Sequence, residues 1–283
     1  MKKITVIGAG GRMGKWFVRY FLKTKKYTVT GFDSQNKVSI KDCIVGKSLV
    51  SSILSADFVF LCTPIRQTAE VIRLISKEMK RDAFIIDIAS EKTKTSSALS
   101  KIPLKINPIC IHPMFGPGTQ KVNGQNIIII PIKDAKKELT VVKSLFAGAN
   151  FVTTNAHEHD KKIGLILGLT HTINLILGSI ITKDEKLQLI EKMSGTTFKA
   201  HRVLVDGLTS ESPEMIESIM LNPEMRRYAE EFWKELGRVL TIIQENKTDE
   251  LLDYIKKCQN DIADHTDTAK ASKKLSSMTS SIK

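Results

Sequence analysis

The chain's 283 residues, 42% apolar and 26% charged, have the composition of a soluble globular protein with one large or two ordinary domains. Four isolated cysteines (Cys43, Cys62, Cys110, Cys258) argue against a disulfide framework or a zinc site. The net charge of +13 lies wholly in the first half: residues 1–154 hold 25 Lys/Arg against 10 Asp/Glu, and residues 155–283 hold 18 against 20.

Those basic residues are scattered without interleaved aromatics, so a solvated basic surface is expected first, ahead of one that attracts small anions or binds nucleic acid. Free thiols point to a reducing, cytoplasmic compartment. A glycine turn beginning at Gly8 comes too early for a secretory apolar segment.

Lys3–Ile7 reads as a short strand that runs into Gly8-Ala9-Gly10-Gly11-Arg12-Met13-Gly14. Apolar residues at helical spacing follow over Lys15–Lys23, then a second strand, Tyr27–Phe32, that ends on Asp33. Strand, glycine turn, helix, strand and acid in that order open a dinucleotide-binding unit. Glycines let the backbone approach a pyrophosphate, and the helix N-terminus offers it free N–H groups. Asp33, 19 residues after Gly14, is placed to accept from a ribose diol. A carboxylate there repels a 2′-phosphate, which favours NAD; Lys37 nearby leaves NADP open. The glycine spacing departs from G-x-G-x-x-G, as though the turn carried one extra residue.

Ala56–Cys62 is a buried strand that stops at Thr63-Pro64, with a helix expected over Gln67–Met79. Ala83–Ile88 is another, and it ends in Ala89-Ser90-Glu91-Lys92. An apolar run then leads to His112 and the rigid turn Pro113-Met114-Phe115-Gly116-Pro117-Gly118. Residues 127–131 and 151–153 complete a mostly parallel sheet. In such sheets ligands bind beyond the carboxyl ends of the strands. The glycine turn, Asp33, Thr63-Pro64, Ser90 and His112 should therefore gather on one edge.

From residue 155 the pattern becomes helical. Asn155 looks like an N-cap with Glu158 three residues on. Ile163–Thr182 carries no formal charge and is long enough to span a membrane. Thr170, His171, Thr172 and Asn174 in its middle favour instead a central helix buried all round, with a partner subunit completing the burial. Helices are expected over 185–208, 213–221, 224–246 and 249–265, and a frayed end over 272–283. The domain boundary is placed after residue 154. No His pair has metal-ligand spacing with a third ligand in view, so no metal is expected.

With NAD at the sheet edge, hydride leaves a hydroxyl-bearing carbon and the hydroxyl proton needs a base. His112 is the best candidate, and Ser90 could hydrogen-bond the same hydroxyl or the imidazole. His171 matters only if the second domain closes over that edge.

Ile111-His112-Pro113-Met114-Phe115-Gly116-Pro117, Asp87-Ile88-Ala89-Ser90-Glu91-Lys92, the Met13-Gly14 turn, and His159-Asp160 followed by His171 together resemble the prephenate/arogenate dehydrogenases of tyrosine biosynthesis. The resemblance covers residues 4 to about 225. It implies an N-terminal Rossmann domain (1–154) with a mostly parallel sheet, and an all-helical substrate and dimerisation domain (155–283) that forms a homodimer. It also implies oxidative decarboxylation of prephenate to 4-hydroxyphenylpyruvate, or of arogenate to tyrosine. His112 resembles the family's catalytic hydrogen-bond acceptor, Ser90 its supporting serine, and His171 the helical histidine near substrate. Gly207 stands where the family carries an arginine for the ring carboxylate. Arg202, Lys92, or Arg226 or Arg227 of a second subunit are the alternative cations. Gly207 also motivates a contrary reading, a non-catalytic NAD-binding sensor. No membrane association is expected.

Overall fold

The computed structural model describes residues 1–280. It divides into two compact units, Met1–Lys162 and a second beginning at Ile163. The division falls later than the change of sequence pattern at residue 154.

The first unit is one eight-stranded sheet in the order β3-β2-β1-β4-β5-β6-β7-β8. Its strands are β1 (Lys2–Ile7), β2 (Tyr27–Phe32), β3 (Ile44–Val45), β4 (Phe58–Leu61), β5 (Phe84–Asp87), β6 (Asn107–Pro113), β7 (Asn126–Ile129) and β8 (Asn150–Thr153). All neighbours pair in parallel except β6 with β7. The order 3-2-1-4-5-6 is that of a Rossmann sheet, with β7 and β8 added at one edge. The helices are α1 (Arg12–Thr24), α2 (Leu49–Ile53), α3 (Ile65–Ile75), α4 (Thr93–Ser100), α5 (Ala135–Leu145) and α6 (Ala156–Ile163).

Two apolar layers follow from strands that are hydrophobic on both faces. One packs Phe17 and Phe21 of α1 against Phe60 of β4 and Phe146, with Phe21 and Phe60 ring centroids 4.9 Å apart. The other packs Ile72 and Ile75 of α3 and Leu99 of α4 against Val59 and Ile85. Burying each such side chain stabilises the fold by about 1.5–3 kcal/mol.

One strand departs from the expectation that it ends at His112. β6 pairs with β5 only through Cys110, where β5 ends at Asp87. It then runs on beside β7 through Ile111, His112 and Pro113. His112 therefore lies two residues past the last parallel rung, inside a strand rather than on a turn. Pro113 is tolerated because the ladder on its β5 side has already stopped.

The second unit is helical: α7 (Thr170–Ile181), α8 (Leu187–Met193), α9 (Thr196–Gly207), α10 (Pro213–Met220), α11 (Met225–Gln244), α12 (Thr248–Ala263) and α13 (Thr268–Ser280). The expected helix over 185–208 is broken where Ser194 and Gly195 take extended backbone conformations. The end expected to fray is helical through Ser280, and residues 281–283 lie outside the described residues.

α6 and α7 belong to one helical run, Ala156–Ile181, long and apolar enough to cross a membrane by length and composition. Asn155 caps it, its Oδ1 accepting from Glu158 N at 2.9 Å. Between α6 and α7 a π-helical stretch, Gly164–Leu169, sets Gly164 and Gly168 against the start of α11. A Cβ on Gly168 would come within 2.6 Å of Met225 Cγ. One chain does not bury this helix all round: Leu165, Ile166, Leu175, Ile176 and Ile180 are exposed within the chain, where the expectation left burial to a partner subunit.

Candidate active site

The glycine turn packs β1 directly onto α1. Gly8 has φ +79°, and a Cβ there would lie 2.3 Å from Cys62 O; a Cβ on Gly14 would lie 2.0 Å from Gly8 O. Only glycine fits either place. Gly8 and Gly14 make the close approach with Gly10 and Gly11 between them, so the turn does carry one residue more than the usual spacing. α1 begins at Arg12, with no side-chain cap at Gly11 and no acid in its first turn. Arg12 is exposed and Met13 half-buried at that N-terminus. Uncapped N–H groups and a positive helix end suit a pyrophosphate.

Asp33 follows β2 beside this turn. Its Oδ2 accepts from Gly10 N at 3.0 Å, and its Oδ1 accepts from Gln35 N and Asn36 N at 2.9 and 2.7 Å. Thr63 follows β4 with its hydroxyl 2.9 Å from that of Thr68, and Pro64 caps α3. The residues present thus fit a dinucleotide.

His112 is buried, 6% exposed. Its Nδ1 lies 3.0 Å from Nε2 of His159 on α6, and His159 Nδ1 lies 2.8 Å from Asp160 Oδ1. Asp160 is held in turn by the start of α4. Its Oδ1 accepts from Lys92 N at 2.8 Å, and its Oδ2 accepts from Thr93 N at 2.8 Å and from the Thr93 hydroxyl at 2.5 Å. Burial pushes the Asp160 carboxyl up, but the hydrogen bonds from His159, Thr93 and Lys92 N outweigh it and hold the group below the usual carboxylate range. His112 is held well below the ordinary histidine value, by burial first, then by the Lys92 ammonium and His159, with Asp160 opposing. The imidazole is therefore neutral at physiological pH and can accept a proton.

Ser90 is half-buried, just past β5, and its hydroxyl makes no hydrogen bond to a described residue. The imidazole's protein partner is His159. The sequence gives His159 and Asp160 no role of their own, although both stand in the motif that carries the resemblance.

Lys92 is corrected as a cation for the substrate. It is wholly buried, with Nζ 2.7 Å from Asp87 Oδ2 and 2.6 Å from Ile111 O. Ile111 O faces the side where β5 has ended, and the ammonium supplies the donor the missing strand would have given.

His171 and Arg202 belong to the second unit. His171 donates from Nδ1 to Leu167 O at 2.8 Å, leaving Nε2 as the acceptor of a half-buried ring. Arg202 Nε is 2.9 Å from Asp206 Oδ1. Gly207 closes α9 with open space around it, so no cation stands there. Among the described residues no cluster of His, Cys, Asp and Glu is arranged to hold a metal ion.

Residues 20–155 match the prephenate dehydrogenase nucleotide-binding domain, and residues 155–257 match the prephenate dehydrogenase dimerization domain. The chain belongs to the prephenate dehydrogenase family. It is 26% identical to a probable arogenate/prephenate dehydrogenase of Methanocaldococcus jannaschii over 256 residues, 85% of this chain and 56% of that protein. It is 26% identical to the chloroplastic arogenate dehydrogenase 1 of Arabidopsis thaliana over 58% of this chain and 28% of that protein. The chain thus spans about half or less of the length of these curated relatives.

Among solved structures it resembles prephenate dehydrogenase from A. aeolicus, in complex with hydroxyphenyl propionate and NAD+. The TM-score is 0.71 at 22% identity, covering 94% of this chain and 99% of that one. It also resembles Synechocystis arogenate dehydrogenase, with TM-score 0.66 at 19% identity, covering 93% and 100%. At these identities the likeness is one of fold.

Proposed function

We propose that this protein is an NAD-dependent dehydrogenase that oxidatively decarboxylates prephenate to 4-hydroxyphenylpyruvate. The observation that carries the reading is His112: a buried, neutral imidazole just past the last parallel rung, at the carboxyl edge where the glycine turn and Asp33 also lie. NAD, when bound, supplies the acceptor for the hydride that leaves the hydroxyl-bearing ring carbon. His112 takes the hydroxyl proton as that carbon becomes carbonyl-like. The bond to the ring carboxylate then breaks, its electron pair enters the ring, CO2 departs and the ring becomes aromatic. Loss of CO2 and aromatisation make the step effectively irreversible, which leaves orientation and proton acceptance to the enzyme. Ser90 is assigned to the substrate hydroxyl, its own hydroxyl having no protein partner among the described residues. His171 and Arg202 are proposed as substrate-binding residues.

The relatives include enzymes named for arogenate as well as prephenate, so the deciding experiment is a four-way assay. Purified protein is given prephenate or arogenate with NAD or NADP, and reduced cofactor is followed. Prephenate with NAD is expected to give the highest kcat/KM. A preference for arogenate reassigns the substrate, and no signal in any arm removes the enzyme reading in favour of a sensor.

The second unit is assigned to a homodimer. It matches a dimerization domain, and α7 and α11 leave Leu175, Ile176, Ile180, Leu240 and Ile243 exposed. Exposed apolar side chains on these helices are what a partner subunit would cover. Light scattering should return twice the 31.6 kDa chain mass; a monomer at micromolar concentration refutes the assignment.

A further inference from the structure

We propose that His159 and Asp160 are positioning residues that fix His112 as its Nδ1–H tautomer, so that Nε2 presents a bare lone pair to the substrate hydroxyl. The role given to that lone pair rests on the dehydrogenase reading above; the tautomer itself does not.

One line of contacts fixes the tautomer. An ionised carboxylate only accepts hydrogen bonds. Asp160 is surrounded by donors: Lys92 N on Oδ1, and Thr93 N and the Thr93 hydroxyl on Oδ2. A protonated Asp160 would turn a hydrogen toward one of them. The 2.8 Å contact from Asp160 Oδ1 to His159 Nδ1 therefore places a hydrogen on Nδ1. A neutral His159 then has its lone pair on Nε2. That nitrogen lies 3.0 Å from His112 Nδ1, with both side chains buried, and a contact between two ring nitrogens at that distance needs one hydrogen. His112 Nδ1 supplies it, and its Nε2 is left bare.

Reversing the chain would require a neutral Asp160 or a doubly protonated His159 near the buried Lys92 ammonium. Once His112 has taken the substrate proton, the same line carries the new positive charge toward Asp160. The logic is that of a carboxylate orienting a catalytic imidazole, with a second imidazole interposed.

The test reads the tautomer directly. Protein labelled with 15N-histidine gives two-bond 1H–15N correlation spectra, recorded above the ordinary histidine pKa and assigned with His112→Asn. A protonated Nδ1 and a bare Nε2 on His112 are expected; a protonated Nε2 overturns the proposal.

Kinetics supply the second reading. His159→Phe removes the acceptor and should lower kcat by about 10²-fold or more while the KM for NAD stays within about twofold. His159→Gln keeps a carbonyl able to accept from His112 Nδ1 and should recover at least about tenfold of that loss. An unchanged kcat in His159→Phe overturns the proposal. Should His159→Phe fail to fold, the wild-type spectrum and His159→Gln still decide. Failure of the dehydrogenase reading would look different: the wild type would give no reduced cofactor, while its His112 tautomer would still be measurable.

Discussion

Replacing Lys92 with Met tests whether the buried ammonium organises the catalytic edge. The substitution keeps most of the apolar stem and removes only the charge and its hydrogens. In the folded chain that ammonium has two partners, Asp87 Oδ2 at 2.7 Å and Ile111 O at 2.6 Å, and both charged side chains are wholly buried. Asp87 would keep only Ala89 N on Oδ1 and the Cys110 thiol at 3.5 Å on Oδ2. Breaking a buried ion pair from one side costs about 3–5 kcal/mol, because the remaining charge is stranded without water. Leaving Ile111 O without its donor costs about 1–3 kcal/mol by itself. The two overlap, so we expect a loss of about 4 kcal/mol. For a unit of this size that lowers Tm by about 8–16 °C.

Urea denaturation of wild type, Lys92→Met, Asp87→Asn and the double variant forms the cycle. The double variant should recover at least about 2 kcal/mol relative to additivity. A second readout follows from charge. The Lys92 ammonium helps to hold His112 below its ordinary pKa, so its removal raises that pKa. The acid limb of kcat/KM should then move to higher pH. A stability loss under about 1 kcal/mol with additive single effects, or an unmoved acid limb, would refute the reasoning.

His112→Asn should cut kcat by about 10²–10⁴-fold while NAD still binds, measured by turnover and by cofactor fluorescence. The same substitution should flatten the pH dependence of stability. The folded His112 pKa lies below its unfolded value of about 6.5, so its contribution is complete above that pH and is lost as pH falls toward the folded pKa. Wild-type stability should therefore decline below about pH 6.5 with a slope of up to about 1.4 kcal/mol per pH unit, seen in urea titrations at stepped pH. Asp160 gives a separate window: its lowered pKa adds stability that is lost only as pH falls through the carboxylate range. Gly14→Ala, whose Cβ would sit 2.0 Å from Gly8 O, should force α1 off β1 and weaken NAD binding at least tenfold by calorimetry. Unchanged affinity would show that the turn does not set the cofactor's seat.

The sheet was largely readable because each parallel strand is an apolar run bounded by a turn residue. Tyr27–Phe32 was bounded as observed, and Ala56–Cys62 and Ala83–Ile88 were bounded to within two residues. β3 and α2 escaped because they are short and little buried: Ile44 and Val45 are both exposed, and α2 buries only Ser52 and Ile53. The long apolar run at 163–182 was readable as a helix, but not which of its faces one chain covers. A sequence run reports how apolar a helix is, not how many sides of it one chain covers. The surface left exposed on α7 is information about a partner, and a single chain's composition cannot assign it.

The catalytic edge shows the same limit at the scale of single residues. Ser90, Asp33 and His112 were found because each sits at or just past the carboxyl end of a strand, and strand ends share an edge by topology. Lys92 follows a strand too, yet its side chain turns inward. What decides is the point at which β5 stops pairing with β6: Cys110 has its β5 partner, Ile111 does not, and its carbonyl draws the ammonium in. No local pattern marks a strand that outruns its neighbour by three residues, Ile111 to Pro113. His159 and Asp160 were missed for the converse reason. They sit 47 residues or more from His112 in the chain, on a helix whose first turn has a plain capping explanation in Asn155 and Glu158. The available signal was that His159 and Asp160 lie beyond the cap, in the polar run His157–Lys162, and stood in the motif that carried the resemblance. Capping satisfies the first-turn N–H groups, and Asn155 already does that for Glu158. A second polar pair just inside the helix is therefore free to serve something other than the helix, and here it meets His112 and the start of α4.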